Sequence, residues 1–89
     1  MLDLETVFLA ARSKSEITAF LKLLLTAEEM DECRNRWKAC QMATKGVTQR
    51  EIRDRLGVGL ATATRAARTA RQHARTIQRL AERKKYGVL

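Results

Sequence analysis

Proline is absent from this 89-residue chain, which holds only two cysteines, four glycines and very few aromatic side chains. Without proline nothing forces a kinked backbone. Apolar residues recur at helical spacing and strand-like alternation is missing, so the chain reads as all-α. Cys33 and Cys40 build no disulfide framework. They lie seven residues apart on one helical pattern, stacked along one face and too distant to bond, and are expected to be buried, reduced thiols. Two thiols and the sole histidine, His73, fall short of a four-ligand zinc site. No run of eighteen apolar residues exists to span a bilayer. The opening MLDLETVF carries acids where a secretory leader needs basic residues, which makes a cytoplasmic protein the expectation.

A single domain of this length has a marginal core. Neither disulfides nor a metal enlarge it here, so a core shared between two copies, a homodimer, is expected. The charge is distributed unevenly. Residues 1–44 carry six Lys/Arg against seven Asp/Glu, whereas residues 45–89 carry twelve against three, and residues 65–81 contain no acid. A solvated helical face usually mixes signs, so the second half points to a polyanionic partner, nucleic acid before others.

Along the chain, residues 3–12 form a short amphipathic helix with Leu4, Val7, Phe8 and Ala11 on one side. Ser13 or Ser15 caps a second helix bearing Ile17, Phe20, Leu21, Leu24 and Leu25. TAEE, from Thr26 to Glu29, is a capping box that starts a third helix over about 27–45, with early acids favoured by the helix dipole. Met30, Cys33, Trp37, Cys40 and Thr44 make a seam on it, and Trp37 is expected to be a core anchor. Gly46 ends this helix in a left-handed conformation.

TQRE, from Thr48 to Glu51, is a second capping box opening a helix at Gln49. Ile52 and Leu56 face inward together four residues apart. Gly57-Val58-Gly59 makes a turn, and another helix begins near Leu60, which completes a helix-turn-helix over 48–71. Leu60, Ala61, Thr62 and Thr64 give that last helix a small-faced start. A recognition helix approaches the floor of the major groove with its N-terminal residues, where bulk would hold it away. Ala61 permits approach, while Thr62 and Thr64 offer hydroxyls and methyls suited to base edges. Gly59 leaves backbone bare near a phosphate. Gln49, Arg50, Arg53, Arg68 and Arg71 are expected at phosphates or the groove edge. Residues 72–89 read as a C-terminal basic helix with a frayed end, in which Lys84 and Lys85 are more simply exposed than nucleic-acid contacts.

LLLTAEE, the arginine at position 36, and GVTQREIRDRLGVGLATATR together resemble the tryptophan operon repressors and their shorter relatives. The likeness covers about 23–69, roughly half the chain, with one residue fewer after Gly46 than the best-known members. Its TQRE and LG-GLAT-TR elements are specific, and both ends match only in helical character. The resemblance implies an intertwined all-helical homodimer of about six helices per chain, with residues 1–45 as the dimerisation core. It also implies a pocket for a planar co-repressor, in the family L-tryptophan. Arg36 and Arg65 correspond to the arginines that sandwich the indole. Thr26 would assist Arg65 with the carboxylate, Leu23 and Leu25 would offer carbonyls to the ammonium group, and Thr62 would line the ring. Ala66 stands where the family has glycine, and Thr69 where it has serine. The extra methyl of Ala66 costs about 1–3 kcal/mol in a tight pocket, so the ligand is L-tryptophan in a shifted pose, a related indole or aromatic acid, or none.

The expected function is therefore a dimeric repressor binding a palindromic double-stranded DNA operator, gated by such a ligand and needing no other cofactor. One alternative is a constitutive DNA-binding protein without an effector. Another is a basic module for RNA or acidic protein. An enzyme is not expected, since no nucleophile has a partner base and His73 is alone.

Overall fold

The computed structural model describes residues 1–83, as helices α1 (Leu4–Ala10), α2 (Lys14–Leu24), α3 (Ala27–Thr44), α4 (Gln49–Leu56) and α5 (Leu60–Glu82). Among these residues there is no strand. Lys84, Lys85 and the rest of the expected C-terminal helix to Leu89 lie outside the described residues.

Short polar side chains set the helix starts. The Asp3 carboxylate accepts from the Thr6 N–H at 2.8 Å, and hydrogen bonding from the Thr6 side chain, then from this N–H, holds the carboxyl below its ordinary pKa of 3.8. Ser13, rather than Ser15, caps α2 by accepting from the Glu16 N–H at 3.0 Å. The Thr26 box closes in both directions: its hydroxyl accepts from Glu29 N–H at 3.1 Å, and Glu29 Oε1 accepts from Thr26 N–H at 2.9 Å. The second box closes in one direction only. Thr48 Oγ1 accepts from Glu51 N–H at 3.2 Å, but the Glu51 carboxylate turns to Arg55, one turn on, at 3.1 Å. A cation four residues downstream competes with the backbone for that carboxylate.

Glycine sets the ends of α3 and α4. Gly46 has φ +87° and Gly57 φ +66°, conformations that cost a residue with a Cβ about 1–2 kcal/mol. From Gly59, α5 runs without proline or glycine, so the recognition segment and the segment beyond it join in one helix where two are expected. The division survives as a break at His73, which is exposed and non-helical (φ −129°, ψ 29°). Counted on either side of that break, the described residues hold the six helices expected.

The chain forms two compact units, Met1–Asp31 and Glu32 onward. In the first, the rings of Phe8 and Phe20 meet edge to face with centroids 5.3 Å apart, and Met30 is buried. Much apolar surface stays outside: Leu9 is 87 % exposed and Leu23 81 %.

In the second unit Ile52 of α4, fully buried, sits in a cluster with Ala39 of α3 and Ala63 and Ala66 of α5. Met42, Ala43, Val47, Leu56 and Val58 close round it. Three alanines at this junction let the helix backbones approach closely. The packing corrects two expectations. Trp37 is 40 % exposed rather than a core anchor of the chain, and Cys33 is exposed rather than buried, with Cys40 half-buried. Apolar residues encircle α3, and the face turned to α4 and α5 is Ala39, Met42 and Ala43, leaving the side that carries Trp37 open.

Candidate nucleic-acid interface and effector pocket

The turn from Gly57 to Gly59 folds α5 back across α4, and the Ile52–Ala63–Ala66 contact fixes the angle between them. With Ala63 and Ala66 pointing in, helical geometry points their neighbours out. Leu60 and Ala61 are exposed, and Thr62 and Thr64 are half-buried at the surface. Gly59 is the N-cap of α5 with no side-chain bond to the first turn, and that turn holds no acid. A Cβ built on Gly59 meets nothing within 4 Å. Gln49 is the first residue of α4, and its Oε1 accepts from the Thr64 hydroxyl at 3.1 Å, tying the start of α4 to α5. Arg50, Arg68 and Arg71 are exposed. Arg53 is half-buried and bonded to the neighbouring Asp54 at 3.3 Å. The residues expected at DNA therefore share the helix-turn-helix surface, Arg53 with a carboxylate beside it.

One turn along α3 from the Ala39 contact, Arg36 projects past the edge of the cluster, and Arg65 does so beside Ala66. Between them lies a recess of about 270 Å³ lined by Arg36, Cys40, Thr62, Arg65, Ala66 and Thr69. A second recess, of about 330 Å³, shares Arg36, Thr62 and Arg65 and extends past Glu32 and Asn35 to the Gly57–Gly59 turn. Arg36 is not free of partners: its Nη2 lies 3.7 Å from Glu32 Oε2, an exposed i,i+4 pair of small worth. Ala66 is 4 % exposed, so its methyl is shared between core and recess. Cys40, Glu32 and Asn35 were not anticipated here. Cys40 was detectable, since it lies four residues after Arg36 on the same helix face. Partial burial pushes the Cys40 thiol up from its ordinary range.

Five of the expected ligand residues are thus gathered: Arg36, Thr62, Arg65, Ala66 and Thr69. Leu23, Leu25 and Thr26 belong to the first unit, at the end of α2 and the start of α3. Thr26 Oγ1 accepts the Glu29 N–H there, which leaves its own O–H to donate elsewhere. A larger recess of about 380 Å³ joins the C-terminal ends of α3 and α5 past Lys45 and Glu82, but no arginine faces it. Among the described residues no group of three His, Cys, Asp or Glu side chains is placed to hold a metal, and no helix is long and apolar enough to cross a membrane.

The family model described as Trp repressor protein matches residues 2–85. No curated protein and no solved structure gives a significant match. The match runs through α1 to α5, well past the half of the chain that carries the motifs. With a glycine-hinged helix-turn-helix, a small-faced α5 and a basic second half inside it, this chain belongs to the Trp repressor family of DNA-binding transcriptional repressors.

Proposed function

We propose that the chain acts in the cytoplasm as a homodimeric repressor that reads a palindromic operator with α5 and is gated by an aromatic acid held between Arg36 and Arg65. The observation that carries the DNA reading is the exposed, small-faced first turn of α5. Leu60 and Ala61 stand at its tip, Thr62 and Thr64 flank them, and Gly59 places bare backbone where a phosphate would sit. Unpaired N–H groups at that helix start favour an anion. Two copies related by a two-fold axis would set their recognition helices about one DNA turn, roughly 34 Å, apart.

Exposed Leu9, Leu23, Trp37 and Leu80 support the second copy, since a monomer seldom leaves so much apolar surface to water. Residues 1–45 would supply most of that interface. L-Tryptophan is the first ligand to test. A guanidinium stacks on an aromatic face and still pairs with a carboxylate, and two of them line the 270 Å³ recess. By the family resemblance, Leu23, Leu25 and Thr26, of the same copy or the opposite one, would meet the ligand's polar end.

Arg50, Arg53, Arg68 and Arg71 would neutralise phosphates. Each such contact steepens the fall of log affinity with log salt by about 0.9 on duplex DNA. Replacing Arg68 and Arg71 together with glutamine is expected to reduce that slope by about 1.8 without changing sequence preference, measured by fluorescence anisotropy across a salt series. An unchanged slope would remove both arginines from the phosphate interface.

A further inference from the structure

Among the described residues, one hydrogen bond between side chains joins two helices, and it lies on the surface assigned to DNA. The Thr64 hydroxyl donates to Gln49 Oε1 at 3.1 Å across fifteen residues of sequence. The other two side-chain pairs, Arg53 with Asp54 and Arg55 with Glu51, are local pairs within α4. Both ends of the Gln49–Thr64 bond are within reach of water, so burial does not require it. Its consequence lies in what each group has left to offer.

A threonine hydroxyl carries one donor and two acceptor positions, and a carboxamide carries two donors and one acceptor oxygen. Once the Thr64 proton is directed at Gln49, Thr64 faces outward as an acceptor only, while the Gln49 amide keeps both N–H donors. A free hydroxyl serves equally as donor or acceptor and discriminates little between bases. The bond to Gln49 removes that ambivalence. An acceptor beside a donor is the complement of the adenine major-groove edge, which offers the N6 amino donor and the N7 acceptor. Guanine presents acceptors at both O6 and N7, so its O6 would meet the Thr64 lone pairs. Cytosine offers a donor alone and thymine O4 an acceptor alone.

We infer that Gln49 and Thr64 form one composite base-reading group, in which Gln49 positions the Thr64 hydroxyl as an acceptor and the pair selects adenine at a single position of each half-site. The inference rests on the reading of α5 as the groove-facing helix.

The test is enrichment of duplexes from a random pool by the full chain and by Gln49→Ala, Thr64→Val, the double variant and Thr64→Ser, with circular dichroism confirming the fold of each. The wild type is expected to enrich adenine at one position per half-site. Gln49→Ala and Thr64→Val should each lower that preference about tenfold, at the same position, as expected for loss of one good bidentate contact. The double variant should lose no more than the worse single variant, the non-additivity of one shared interaction. Thr64→Ser keeps the hydroxyl and should keep adenine. Relaxation at two different positions, multiplying losses, or a serine variant that behaves like valine would overturn the composite group while leaving α5 as the reader. A wild type that binds duplexes without enriching any sequence would overturn base reading itself.

Discussion

Replacing Ile52 with alanine is expected to lower unfolding stability by about 2–5 kcal/mol, the largest effect of any single truncation in the second unit. Ile52 is the largest completely buried side chain among the described residues, and only the partly buried side chains at the rim of its cluster, such as Met42 and Leu56, have rotamers that could relax into the void. Ala39, Ala63 and Ala66 have no rotamers with which to fill a void, and each is fixed on a helix held by its own hydrogen bonds. Native domains are stable by only about 5–15 kcal/mol, so this one change removes much of the margin. The same contact fixes the angle between α4 and α5, so duplex binding should fall with stability. Urea unfolding followed by circular dichroism should show a lower midpoint with an unchanged slope, and Ile52→Val should cost only about 0.5–1.5 kcal/mol. A loss below 1 kcal/mol for alanine would mean that the helix-turn-helix is held by something other than this cluster.

Truncation of Arg65 to alanine is expected to abolish the response to effector. Arg65 and Arg36 face the same recess from α5 and α3, and no other described residue lining it carries a positive charge. If ligand tightens DNA binding a hundredfold, the coupling is about 2.7 kcal/mol, and the DNA-competent form must bind ligand tighter by the same factor. Removing one of two guanidiniums takes away both a stacking face and a charge-assisted contact, enough to erase coupling of that size. Titration calorimetry with L-tryptophan should show heat for the wild type and none for Arg65→Ala. Arg65→Lys should restore little, because an ammonium has no flat face to lay on a ring. Retained responsiveness in Arg65→Ala would place the ligand elsewhere. A wild type that shows no heat and no change in melting temperature at millimolar ligand would favour the ungated reading, a constitutive DNA-binding protein.

What could be read from the sequence was local. The Thr26–Glu29 box, the Thr48 cap and the glycines at 46 and 57 act within one turn of backbone, and each appears where expected. Glu51 departed because Arg55, also local, offered its carboxylate a competing partner. The break at His73 falls beside the boundary expected after residue 71, in a stretch with no glycine or proline to mark it. Exposure of Trp37 and Cys33 was illegible for a different reason. α3 is apolar on more than one side, and only contact with α4 and α5 decides which side a single chain covers. Arg36 and Arg65 were paired through family resemblance and not through spacing, since nothing periodic links a residue of α3 to one of α5. The bond between Gln49 and Thr64 exists only because the Gly57 turn folds two helices together.

Hydroxyl-radical footprinting of the full chain on a duplex enriched from a random pool tests the central claim most directly. Two symmetric patches of protection, their centres about one helical turn apart, are the predicted result. A single patch with no symmetry, or a chain that sediments as a monomer while bound, would contradict a twinned scaffold presenting α5 to the groove.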